Sequence, residues 1–170
     1  MGDLTRCMLA CALALQLGCA ATAYAPPEAG NIVPIEFNAE FVQTEREDAA
    51  QVLAFKDPVS CDKHPRGIFI GRLCPDRGPG FACRGMSLSQ NFEAGVSITL
   101  KFEYKFGDIT TEHGGCNNQF TLTPLSGSRY RAFFRADKER CSTVVQTSKD
   151  GASWTADDTV IYEKKMCLWL

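Results

Sequence analysis

From Val96 to Phe106 apolar and polar residues alternate without a break. Val96, Ile98, Leu100, Phe102, Tyr104 and Phe106 take every second position, and Ser97, Thr99, Lys101, Glu103 and Lys105 fill the gaps. Successive side chains of an extended strand point to opposite faces, so this period puts every apolar group on one side; helical winding would scatter them around a cylinder. Ile35, Phe37, Ala39 and Phe41 repeat the period against Glu36, Asn38 and Glu40. Further strands are expected at 51–56, 67–73, 118–123, 129–135, 142–148 and 159–168. Strands about every ten residues, separated by Gly, Pro and Asp turns, predict an all-β fold. Clean alternation suits sheets with one face to water, so the expected architecture is an antiparallel β-sandwich, Ig-like or related, over residues 32–170.

The turns support that reading. Phe120–Thr123 and Arg129–Phe134 flank Pro124-Leu125-Ser126-Gly127-Ser128, the pattern of a hairpin with a five-residue loop. Lys149-Asp150-Gly151 reads as a tight turn in which glycine takes the positive φ. The single helix signal is a capping-box pattern, Thr44-x-x-Glu47, enough for one or two turns before Val52.

The start of the chain reads differently. Arg6 precedes an apolar run from Cys7 to Leu15, too short for a membrane anchor, which wants about 20 apolar residues. A short apolar core followed by small residues is the pattern of a signal peptide. Two cleavage readings stand side by side. Ala21-Thr22-Ala23 is an A-x-A site, giving a signal peptide over 1–23. Leu17-Gly18-Cys19 resembles a lipoprotein lipobox, with Gln16 where a Leu-like residue is usual; lipidation of Cys19 would then follow removal of residues 1–18 and anchor the chain to the inner or outer membrane. Residues 24–31, with two prolines and a glycine, read as a short tether.

Nine cysteines are present, and three of them (Cys7, Cys11, Cys19) lie in that leading segment. Cys61, Cys74, Cys83, Cys116, Cys141 and Cys167 form an even set, which suits three disulfides in an oxidising compartment. The expected pairing is Cys116–Cys141 across the hairpin arms, Cys74–Cys83 around a Gly/Pro loop, and Cys61–Cys167 by exclusion. Cys61–Gly85 holds three of these cysteines with five glycines and three prolines, a long loop region that disulfides would pin. Ordered loops of this kind often carry binding surfaces, so this Cys-rich side is the first place to expect a functional surface.

No catalytic residue, metal ligand or cofactor is assigned. Cys61-x-x-His64 with His113-x-x-Cys116 could form a zinc set, but disulfides would claim both cysteines. Ser87 or Ser89 with His113 and Asp108 makes a triad only on paper, and a G-x-S-x-G elbow is absent. Glu45, Glu47 and Asp48, or Asp157 and Asp158, read as solvated turn acids rather than a glycosidase pair. The net charge of −2 points to no nucleic-acid partner. Charge is nonetheless uneven. Acids gather over Glu36–Asp48, and bases including Arg72, Arg77 and Arg84 over Cys61–Gly85. Arg129, Arg131 and Arg135 share one face of a strand with Phe133, while Tyr130, Ala132 and Phe134 face inward. The bland reading is a solvated face whose cations discourage edge pairing. The functional reading is a surface for an anionic envelope component or an acidic protein.

The stretch Asn118-Gln119-Phe120-Thr121-Leu122-Thr123-Pro124, then Tyr130-Arg131-Ala132 and Cys141, resembles small uncharacterised envelope proteins of Gram-negative bacteria. The resemblance implies a periplasmic or membrane-anchored location and a β fold, and it imports no activity. The leading expectation is a non-enzymatic binding or structural role in the envelope. A periplasmic inhibitor or immunity-type protein is the alternative, and a hydrolase the third.

Overall fold

Among the described residues the alternation is realised as ten strands in two layers. The computed structural model describes residues 23–28, 30–42, 49–55, 67–75, 85–107, 112–137 and 140–163. The strands are β1 (Ile32–Phe41), β2 (Ala49–Phe55), β3 (Ile68–Leu73), β4 (Ser87–Glu93), β5 (Ile98–Gly107), β6 (Glu112–Leu122), β7 (Arg129–Ala136), β8 (Cys141–Ser148), β9 (Thr155–Ala156) and β10 (Ile161–Tyr162). They form two five-stranded sheets, ordered β4-β1-β7-β8-β9 and β10-β6-β5-β2-β3. Neighbours run antiparallel except β1 and β7, which are parallel, with Ile35 opposite Tyr130 and Phe41 opposite Ala136. Parallel neighbours need a long connection, and β2 to β6 lie between these two. The sheets pack face to face as the expected all-β sandwich.

The core is built by the residues that alternation selects. Val33, Ile35 and Phe37 of β1, Leu100, Phe102 and Tyr104 of β5, and Tyr130, Ala132, Phe134 and Ala136 of β7 are all buried. Aromatic rings join the layers. Phe134 stacks on Phe102 with centroids 4.9 Å apart, and Phe37 meets Phe102 edge-on at 6.0 Å. Such pairs contribute about 0.5–1.5 kcal/mol each beyond the area they bury. Val96 breaks the pattern: it precedes β5 and is exposed.

Three contacts close the sandwich at its margins. On the β3/β4 side, Gly71 lies so near Leu88 that a Cβ there would sit 2.8 Å from Leu88 Cδ2. Tyr24 reinforces that side: its N–H donates to the Phe69 carbonyl at 2.9 Å and its ring packs 5.0 Å from that of Phe92. Burial, and then the Glu93 carboxylate, push the Tyr24 phenol pKa up. On the opposite side, the Val145 N–H donates to the Tyr162 hydroxyl at 3.0 Å. The third contact is covalent: Cys116 of β6 is bonded to Cys141 of β8, Cα atoms 6.0 Å apart, so the disulfide links the two sheets.

The fold corrects three expectations. First, residues 118–134 do not form a hairpin, because β6 pairs with β5 and β10 while β7 pairs with β1 and β8. The loop between them is an arch from one sheet to the other. The Leu125 N–H donates to the Tyr130 hydroxyl at 3.0 Å, and the Ser128 N–H to the Leu125 carbonyl at 3.1 Å, in the manner of a tyrosine corner. The disulfide pairing expected from the hairpin is correct, but it spans layers rather than arms. Second, β7 is the middle strand of its sheet, so its arginines do not guard an edge. Third, residues 24–31 are tied to the domain at both ends. Tyr24 is bonded to β3, the Ala94 N–H donates to the Asn31 carbonyl at 2.7 Å, and the Ser126 hydroxyl donates to Asn31 Oδ1 at 2.6 Å. The capping-box residues and the second half of the strand expected at 159–168, residues 164–168, lie outside the described residues.

Candidate functional site: the outer face of the β1–β7–β8 sheet

The inward and outward sides of β7 follow the sequence reading. Tyr130, Ala132, Phe134 and Ala136 are buried, whereas Arg129, Phe133 and Arg135 are exposed and Arg131 is half-buried. The outward residues are not an open row of cations, because neighbouring strands engage each one differently.

Arg131 is the most constrained. Its guanidinium carbon lies 4.1 Å from the Trp154 ring centroid and 5.0 Å from that of Phe133. Its Nε–H donates to Gln146 Oε1 at 2.7 Å, and Gln146 is its register partner on β8. A guanidinium over aromatic faces gains electrostatically and loses side-chain freedom. Glu36 is its register partner on β1, but Glu36 Oε1 accepts from the Ser87 hydroxyl at 3.2 Å instead. Among the described residues no carboxylate pairs with Arg131.

Trp154 is delivered by a loop with its own hydrogen-bond logic. Gly151 has φ 76°, the positive value expected of this turn. Asp150 Oδ1 accepts from the Ala152 and Ser153 N–H groups at 2.8 Å each and from the Ser148 hydroxyl at 2.9 Å. These donors, the Ser153 N–H foremost, hold the Asp150 carboxyl well below the usual carboxylate range. Arg129 lies against the same turn: a Cβ on Gly151 would stand 3.0 Å from its Nη1. Arg135 is 3.8 Å from Glu40 Oε2, both groups well exposed, a pair worth at most about 1 kcal/mol.

The face is therefore of mixed charge, with Glu36 and Glu40 in register beside Arg131 and Arg135. It also carries an apolar shelf, since Phe133 is 41% exposed and its β8 partner Val144 47%. Neither Trp154 nor Val144 stands out in the sequence. A lone Trp after a Gly turn has no periodic signal, and Val144 lies in a strand whose outward side looked unremarkable.

No known protein family matches this chain, and no curated protein is detectably similar to it.

The other residues singled out in the sequence are scattered. Of the Cys-rich stretch expected to carry the functional surface, 61–66 and 76–84 lie outside the described residues, including Cys61, Arg77, Cys83 and Arg84, as do Cys19 and Cys167; Arg72 is on β3, in the opposite sheet, with its Nε buried and unpartnered. Cys74 is disulfide-bonded, as expected of the even set. Because the Cys116 sulfur is committed to Cys141, it is not a thiolate available to the zinc set considered with His113. Ser87 is spent on Glu36. Asp157 Oδ1 accepts from the Thr159 N–H at 3.0 Å and hydroxyl at 2.6 Å, which makes it a turn acid.

Proposed function

We propose that this chain is an exported envelope protein whose sandwich is a non-enzymatic binding module, and that the outer face of the β1–β7–β8 sheet is its binding surface. The observation that carries the reading is the Trp154–Arg131–Phe133 stack beside exposed Val144. Trp and Arg are the residue types that most often dominate protein interfaces, and a wide sheet face presents them on a rigid base. Export is supported by the apolar leading run with its two cleavage patterns, by the even cysteine set and by the Cys116–Cys141 bond. Disulfides persist in oxidising compartments. Lipidation at Cys19 would add a membrane anchor close to Tyr24.

Two measurements test the reading. Mass spectrometry of the mature protein should find Cys19 diacylated or Tyr24 at the N-terminus; an intact Met1 in a cytoplasmic fraction would refute export. A triple Arg129→Ser, Arg131→Ser, Arg135→Ser variant should stay folded, melting a few degrees below the parent for loss of the Arg131 ring contacts, yet lose salt-sensitive retention on envelope extract. Retention equal to the parent at low salt would make the face only a solvated one.

A further inference from the structure

The geometry points to Arg131 as a preorganised receptor for a single carboxylate presented by a protein partner next to an apolar side chain. This rests on the proposed binding role of the same face and names what that face recognises.

Three observations select Arg131 among the arginines. Its guanidinium carbon sits over the Trp154 ring at 4.1 Å and over the Phe133 ring at 5.0 Å. Its Nε–H is taken by Gln146 at 2.7 Å. Its two Nη groups have no partner among the described residues. A guanidinium with Nε occupied still offers the end-on fork of its two Nη groups, which matches the two oxygens of a carboxylate. Stacking has already removed much of the rotamer freedom that such a contact would otherwise cost. Arg135 faces Glu40 instead, and Arg129 rests against the Gly151 turn.

The surroundings decide which carrier of negative charge fits. A bilayer or an anionic polysaccharide is an extended negative surface, and it would meet Glu36 and Glu40 on β1 as well as the arginines. A protein segment can place one carboxylate at Arg131 and keep clear of those acids. The paired Phe133 and Val144 give an apolar side chain of the same segment a place to rest, a contact that neither a headgroup nor a sugar would exploit.

N-acetylphenylalanine, which joins a carboxylate to a benzyl group, is the probe, with its neutral amide as control. Titrations of the protein are followed by NMR at the Arg131 Nε–H and Trp154 Nε1–H signals. The acid should shift both signals saturably and the amide neither. Arg131→Lys keeps the charge but not the fork or the stack, and should weaken the acid by about tenfold or more. Val144→Glu adds a repelling carboxylate at an exposed position and should weaken it too. Vesicles rich in phosphatidylglycerol should not bind through Arg131. Equal shifts from acid and amide, undiminished acid binding to both variants, or Arg131-dependent vesicle binding without a response to the acid would each overturn the inference. Loss of envelope retention in the triple serine variant, together with no response to the acid, would leave the face a binding surface and remove only this carboxylate fork.

Discussion

Phe133 and Phe134 are adjacent in sequence and opposite in role, which makes them the sharpest probe of the layer assignment. Phe134 is 1% exposed and its ring touches the opposite sheet at Phe102 and Tyr104. Truncation to alanine removes a buried ring and leaves a cavity between two sheets that cannot close over it without disturbing the β7 register. Such Phe→Ala changes cost about 3–5 kcal/mol. In a domain of this size that lowers the melting temperature by about 10–15 °C. Phe133 is 41% exposed and its recorded ring partner is the Arg131 guanidinium. Its truncation loses about 0.5–1 kcal/mol of cation–π attraction at a solvated site and creates no cavity. Urea denaturation of both variants with disulfides intact, at unchanged m-value, is the assay. Similar costs at the two positions, or a larger cost for Phe133→Ala, would mean that the inward and outward sides of β7 are reversed.

The remaining predictions address the margins and the Trp154 loop. Replacing Cys116 and Cys141 together by alanine opens a link spanning 25 residues and should cost about 3–4 kcal/mol by the chain-entropy estimate, measured by the same denaturation. Gly71→Ala should cost about 1–3 kcal/mol because the new methyl meets Leu88, and Leu88→Ala in the same chain should cost less than the sum of the two single changes. The Asp150 carboxyl is depressed by the N–H groups of Ser153 and Ala152 and by the Ser148 hydroxyl. A depressed acid stabilises its turn above its ordinary pKa of about 3.9 and loses that stabilisation as pH falls toward the lower folded value. The Trp154 indole signal should therefore hold steady from neutral pH to about pH 4 and broaden only below it. Asp150→Ala should show the loosened signal already at neutral pH.

Much of the sandwich was legible because period-two alternation is a direct consequence of strand geometry. It selected β1, β5 and β7 with their inward faces, including the outward set Arg129, Arg131, Phe133 and Arg135. It did not find β4, where Gln90 stands at the inward-facing position between Leu88 and Phe92 and interrupts the pattern. It misread the β6–β7 connection because a hairpin and an inter-sheet arch share one local signature, two alternating runs around a Pro/Gly turn. Only the pairing partners distinguish them, and those depend on contacts distant in sequence. The binding face was half legible for the same reason. Arg131 was found by its period, but Trp154, Gln146 and Val144 reach it through register and loop geometry, which leave no mark on neighbouring residues. The acids of β1, read as a separate segment, turn out to be the immediate neighbours of the arginines through the parallel β1–β7 pairing.

The claim that the outer face of the β1–β7–β8 sheet is the working surface is tested most directly by site-specific photo-crosslinking in the cells that make the protein. A photoreactive residue placed at Val144 lies on that face; one placed at Gln51, exposed on the outer face of the opposite sheet, is the matched control. The account predicts a discrete protein adduct from position 144, lost when Arg131 is replaced by serine, and none from position 51. Equal adducts from both positions, or an adduct from position 51 alone, would contradict it.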